Sequence, residues 1–195
     1  MSTQSAIMDK QQIILNASLK LFVEYGIQGT PTSKIAKEAG IAHGSVFTYY
    51  KTKDDLIIAL YSYTKEHFRA YLAEHIKPAD SMKERFFELF YHSVQWSLQH
   101  QDEYMFTQQF QYSPLYKLPE VGEPLKQLSP LANLYNEGLE AGELKAVPVD
   151  MIRALIMSQM IGTYNYIIQA GIPAKKQKQV ITDTFEMLWT MLARQ

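Results

Sequence analysis

Apolar residues recur every three to four positions along nearly the whole chain, and no stretch alternates in the manner of a strand. Ile14, Ala17, Leu21, Phe22 and Tyr25 form the first stripe, which Gly26 stops as glycine does just past a helix end. In "GTPTSKIAKEAG", Thr30 is placed to cap a helix and Pro31 to occupy its first position, where a missing N–H costs nothing. Ile35, Ala36 and Ala39 give that helix a narrow inner face, and Gly40 ends it. A short helix over about 42–50 follows. A long one then runs over about 53–76, with Asp54 and Asp55 in the first turn, where the helix dipole favours negative charge. Pro78 interrupts.

Helical periodicity resumes over 81–100 (Phe86, Phe87, Phe90, Val94, Leu98), 102–112 and 124–142. "SPLYKLPEVGEP", between the last two, is turn-rich and irregular. Two wide stripes finish the chain. Residues 149–170 carry Ile152, Leu155, Ile156, Met160, Tyr164, Ile167 and Ile168; residues 174–193 carry Val180, Ile181, Thr184, Phe185, Leu188, Trp189 and Leu192. The pattern predicts an all-α fold of about nine helices: a three-helix N-terminal helix-turn-helix domain over 1–53, and a larger helical part over 54–195.

Composition adds exclusions. Of 195 residues, 47% are hydrophobic and 20% charged, enough apolar surface for a packed core. The start, "MSTQSAIMDKQQ", is polar, and no apolar run approaches the roughly 20 residues of a membrane span. The chain holds no cysteine, which removes disulfides and thiolate metal sites and fits a reducing compartment. The expectation is a cytoplasmic protein without membrane contact. Glycine-rich phosphate loops, G-x-S-x-G and H-E-x-x-H are all absent, so no enzyme and no cofactor is expected. His43, His67, His75, His92 and His100 include no pair three or four residues apart, so no metal site is expected either.

Charge is uneven. Residues 1–53 hold six basic and three acidic side chains, a net +3, against a net −1 for the whole chain. Basic charge gathered at one end points to an anionic partner there. The stretch "AGIAHGSVFTYYKTKDDL" supplies the chemistry. Val46, Tyr50 and Ile41 can face inward, which turns His43, Gly44, Ser45, Phe47, Thr48 and Tyr49 outward. Gly44 allows close approach, the hydroxyls suit phosphates or base edges, and Phe47 suits thymine methyls. Lys53 opens the next helix, where its ammonium and the free backbone N–H groups both attract phosphate.

Residues 9–56 resemble the N-terminal domain of the tetracycline-repressor-like family of bacterial transcriptional regulators. The resemblance rests on Phe22 to Gly26, on Thr30 with Ile35 and Ala36, on Ala39 to Ala42 with Gly44, and on Phe47 to Tyr50 followed by Lys51, Lys53 and Leu56. Ala42 stands where the family usually has a capping Ser, Phe47 where Tyr is common, and Tyr50 where Phe is common. The resemblance implies a DNA-binding regulator, most simply a dimeric repressor released from a pseudo-palindromic double-stranded operator by a small molecule. Its DNA-facing candidates here are Thr30, Thr32, Ser33, His43, Gly44, Ser45, Phe47, Thr48, Tyr49 and Lys53.

For residues 54 onward the resemblance implies ligand sensing and homodimerisation. The dimer candidates are Ile152, Ile156, Val180, Ile181, Thr184, Phe185, Leu188, Trp189 and Leu192, since terminal helices seldom leave such side chains uncovered. Effector candidates are the aromatic, Met and polar residues of the middle helices: Tyr91, His92, Trp96, Met105, Phe106, Gln109, Phe110, Tyr112, Met157, Met160 and Tyr164. Few Lys or Arg fall among them, which favours an apolar or aromatic effector. The competing reading is a helical small-molecule-binding or protein-interaction module that never meets DNA.

Overall fold

Nine α-helices form among the described residues of the computed structural model. They are α1 (Thr3–Tyr25), α2 (Thr32–Glu38), α3 (His43–Tyr49), α4 (Lys53–His75), α5 (Met82–Gln99), α6 (Gln101–Gln111), α7 (Pro130–Glu140), α8 (Val149–Gln169) and α9 (Ala174–Leu192). Backbone is described for residues 3–119, 121 and 130–194; side chains begin at residue 10 and, after the gap, at residue 133. The predicted helix over 124–142 lies partly outside these residues. The irregular stretch contains one 3₁₀ turn, Pro114–Lys117. Among the described residues there is no strand, only a bridge joining Leu144 to Ala193.

The helix ends follow local chemistry. Gly26 and Gly40 take left-handed backbone angles, φ 77° and 66°, that close α1 and α2. Thr52 and Asp55 cap α4 reciprocally: each backbone N–H donates to the other's side-chain oxygen at 3.0 Å. Ser81 and Glu84 repeat the device at α5, at 3.3 and 3.2 Å.

One boundary differs from expectation. Pro31, not Thr30, precedes the first residue of α2, with φ −75° and ψ 149°, and no side chain caps the helix. The Thr30 side chain is fully buried and points backward, its hydroxyl 2.8 Å from Gly26 O and 3.1 Å from Leu21 O. It seals the end of α1 instead of starting α2.

The chain divides into two units: Met1–Phe68 with His100–Pro124, and Arg69–Gln99 with Leu125–Gln195. In the first, α1 packs against α2 and α6, and α2 against α3. Ile14, Phe22, Ile35, Val46, Leu56, Leu60, Tyr61, Phe106 and Phe110 are buried there. Phe22 stacks on Phe106 at 5.8 Å, and Tyr61 on Phe110 at 4.2 Å.

In the second unit, α5 packs against α7, α8 and α9, and α8 against α9. The core holds Met82, Phe86, Phe90, Val94, Leu134, Tyr135, Leu144, Ile152, Ile156, Ile167, Ile181, Phe185, Leu188 and Leu192. Gly138 is required by close approach: a Cβ there would lie 2.6 Å from Leu144 Cδ1 and 2.8 Å from its Cγ. No helix among the described residues is long and apolar enough to cross a membrane.

Candidate nucleic-acid interface

Seven residues build α3, too few to hold a helix without tertiary support. Val46, 1% exposed, and Tyr50 at the C-terminal end anchor it to the unit. Burial raises the Tyr50 phenol above its ordinary value, so the hydroxyl stays protonated. Ala42 holds the N-cap position with φ −63° and ψ 141° and offers no side-chain acceptor. That leaves a first-turn N–H group without the usual cap, a loss of about 1 kcal/mol.

The outward side of α3 is as the pattern predicts. His43, Gly44, Phe47 and Thr48 are exposed, and Ser45 and Tyr49 half-buried. His43 Nε2 lies 3.1 Å from Thr32 Oγ1, and its ring meets the Phe47 ring edge-on at 5.4 Å. Together these contacts join the starts of α2 and α3 into one surface. No neighbouring atom would lie within 4 Å of a Cβ at Gly44, so its bare backbone faces open space. Ser33, Lys37 and Lys51 are exposed beside this surface.

Lys53 is half-buried, and its ammonium donates to Ile27 O at 2.6 Å. Burial lowers its pKa from the usual lysine value, with Asp54 pulling the other way. The bond to Ile27 O holds the ammonium in place at the start of α4. Lys34 sits over the Tyr25 ring, 2.9 Å from the centroid; it and the exposed Lys51 are basic residues outside the predicted DNA-facing set. Thr30 leaves the candidate surface, because both its burial and its hydrogen bonds face away from solvent.

The effector candidates fall in both units. In the first, Phe106 and Phe110 are 0% exposed and packed in the aromatic core, and the Gln109 amide donates to Phe22 O at 3.1 Å. Met105 is exposed, and Tyr112 is 77% exposed, so Tyr112 lines no enclosed pocket. In the second, Tyr91, His92, Met157 and Met160 are half-buried, while Trp96 and Tyr164 are buried. His92 sits among the Tyr71, His75 and Tyr91 rings at 6.3, 5.8 and 5.1 Å. Its Nδ1 is buried and finds no hydrogen-bond partner among the described residues; its Nε2 is 3.5 Å from Glu88. A cleft of about 570 Å³ opens elsewhere in this unit, between Ile76, Lys77, Arg85, Leu89, Leu134 and Glu137, none of them predicted.

The dimer candidates need correction. Ile152, Ile156, Ile181, Phe185, Leu188 and Leu192 are at most 3% exposed and form their own unit's core, while Val180 and Trp189 pack against it. Thr184 bonds to Thr163 at 3.2 Å. The six core residues have no surface left for a partner, whereas Val180, Thr184 and Trp189 are half-buried. The apolar side chains that α8 and α9 leave exposed are others: Met151, Leu155, Tyr166, Ile168, Met187 and Met191. Apolar residues surround α8 on both sides, and a stripe alone does not say which side turns inward.

A helix-turn-helix supported by a third helix, displaying hydroxyls, an imidazole and lysines, defines a DNA-reading regulator. The sequence profile of bacterial regulatory proteins of the TetR family matches residues 14–60. The fatty acid metabolism regulator protein of Bacillus subtilis is 31% identical over 152 residues, spanning 75% of this chain and 77% of that one. The chain belongs to the TetR family of transcriptional regulators. A TetR family transcription regulator from Marinobacter aquaeolei VT8 has the same fold, with a TM-score of 0.87 at 18% identity, over 99% of this chain and 100% of that one. So does the regulator FadR from Bacillus subtilis, solved in complex with stearoyl-CoA, with a TM-score of 0.74 at 24% identity over 92% and 98%. These relatives are regulators, and no catalytic family is indicated.

Proposed function

We propose that the protein is a cytoplasmic, homodimeric repressor that leaves a pseudo-palindromic operator when it binds a long-chain fatty acyl ligand. Residues 1–53 read DNA, and residues 54–195 sense the ligand and dimerise. The observation that carries this reading is the joined outward surface of α2 and α3, where Thr32 meets His43 beside the bare backbone of Gly44. Ser33, Ser45, Thr48 and Tyr49 supply hydroxyls to phosphates or bases; Phe47 supplies apolar contact; Lys53 supplies fixed positive charge.

The exposed side chains of α8 and α9, centred on Leu155 and Met187, meet the same face of a second copy as a four-helix contact. The acyl class is supported by the similarity to the Bacillus subtilis fatty acid metabolism regulator and to the Bacillus subtilis FadR structure that holds stearoyl-CoA. In this chain Tyr91, Trp96, Met157, Met160 and Tyr164 offer apolar and aromatic lining, and His92 Nδ1 offers a polar anchor that lacks a partner. Release follows as a population shift: the ligand binds better to a dimer whose recognition helices no longer match the half-site spacing.

The test is a salt titration of the purified protein on DNA flanking its own coding region, with and without stearoyl-CoA. Tight binding at one pseudo-palindrome, steeply weakened by salt and abolished by the acyl-CoA, is the expected result. Weak, uniform binding there and in a random-sequence selection overturns the reading in favour of a module that does not read DNA. Specific binding unmoved by acyl-CoA overturns only the effector class.

A further inference from the structure

Two histidines far apart in sequence converge on one carboxylate in the first unit. His67 lies on α4, His100 at the N-cap of α6, and Glu103 in the first turn of α6. His67 Nδ1 is 2.9 Å from both carboxylate oxygens of Glu103, and His100 Nδ1 is 4.0 Å from Oε1. The two imidazole rings are 4.9 Å apart and nearly perpendicular. One donor atom from each of the three residues lies within 4.8 Å of the other two.

From this geometry we infer a binding site for a divalent transition-metal ion of the zinc class, held by His67, His100 and Glu103. Two imidazoles and one carboxylate are the donor set of three-ligand zinc sites, in which solvent supplies the fourth position. Ligands about 2.0–2.2 Å from a tetrahedral ion stand about 3.3–3.5 Å apart, and the 2.9 and 4.0 Å separations here bracket that range. Small side-chain rotations therefore suffice. The side chains are 41%, 29% and 14% exposed, so an ion can enter and keep a water. If both histidines were protonated they would repel; one dication satisfies all three groups. Binding replaces any proton on the ligating nitrogens, so it weakens in acid. The hard ions magnesium and calcium, which take oxygen ligands, do not fit two imidazoles. The ion would fasten the first turn of α6 to α4.

The test uses the full-length protein stripped with a chelator and titrated with Zn²⁺ by calorimetry and with Co²⁺ by visible absorption. One ion per chain and an intense Co²⁺ d–d spectrum are expected. Losing a group that only orients a metal ligand costs about 10–100-fold in affinity, so His67→Ala and His100→Ala should each cost roughly 100-fold or more, and His75→Ala nothing. If the wild type binds no Zn²⁺, or binds it no better than the His67→Ala/His100→Ala double variant, the site does not exist. X-ray absorption of the wild-type zinc complex guards against misfolded variants: two imidazoles in the shell support the site, and one or none overturns it.

Discussion

Thr32 Oγ1 and His43 Nε2 meet at 3.1 Å, so the side chain proposed to read DNA is itself held by the preceding helix. Changing His43 removes a reader, whereas changing Thr32 leaves the reader in place but frees its ring. His43→Ala should cost about 1–3 kcal/mol at the operator and relax its preference at one base position. Thr32→Val should weaken binding less and broaden preference. Fluorescence anisotropy against single-base operator variants measures both. An unchanged preference profile for His43→Ala would remove the residue from the reading surface.

Thr30 provides the contrast. Its buried hydroxyl donates towards the carbonyls of Gly26 and Leu21, so Thr30→Val removes that donor while keeping the shape. The expected loss is about 1–3 kcal/mol in chemical unfolding, with the salt slope of DNA binding unchanged. A flattened slope would return Thr30 to the phosphate contacts.

Gly44 separates stability from function. A methyl group there meets nothing within 4 Å, and glycine within a helix costs roughly 1 kcal/mol against alanine. Gly44→Ala should therefore raise the thermal midpoint while lowering operator affinity, because the methyl stands where DNA approaches. Thermal melts and binding isotherms on one preparation decide it; a gain in both would mean the helix does not come close at this point.

Much of this was legible in the sequence, for a physical reason. Apolar spacing survives in the nine helices of the described residues, and Gly26 and Gly40 mark ends that require left-handed backbone. The outward face of α3 followed from the inward placement of Val46 and Tyr50. Other features were not legible. A threonine before a proline looks the same whether it caps forward or turns back, and only the folded path of Gly26 to Thr30 decides. The stripe on α8 is apolar on two sides, so Ile152 and Ile156 could be mistaken for Met151 and Leu155. His67 and Glu103 are 36 residues apart on separate helices, beyond the reach of any spacing rule.

The exposed face of α8 and α9 makes the dimer testable by charge. Leu155→Glu or Met187→Glu places a carboxylate at the proposed contact without entering the core. Either variant should sediment as a monomer with unchanged helicity and lose cooperative operator binding. A dimer persisting in both would move the contact elsewhere.

His92 gives the protein a predicted acid sensitivity. Burial holds its imidazole below the ordinary 6.5, outweighing the Glu88 carboxylate; His75 and Lys77 lower it further, and the Tyr71 and Tyr91 rings flank it. The unfolded chain takes up a proton near 6.5, before the folded chain does. This stability is thus present above 6.5 and lost as pH falls from there through the lower folded value. The thermal midpoint should drop between about pH 7.5 and about pH 5.5, and drop less in His92→Gln. Equal drops would show that the imidazole titrates alike in both states.

Met151, Met187 and Met191, uncovered on the terminal helices, also carry a chemical liability. A thioether in a contact between subunits is soft and apolar; its sulfoxide is polar, bulkier and chiral. If α8 and α9 form the proposed contact, peroxide would attack the unpaired subunit ahead of the assembled one, and each oxidised chain would pair less well. Oxidative damage would then feed on dissociation, and reductive repair by methionine sulfoxide reductases would restore the pairing surface.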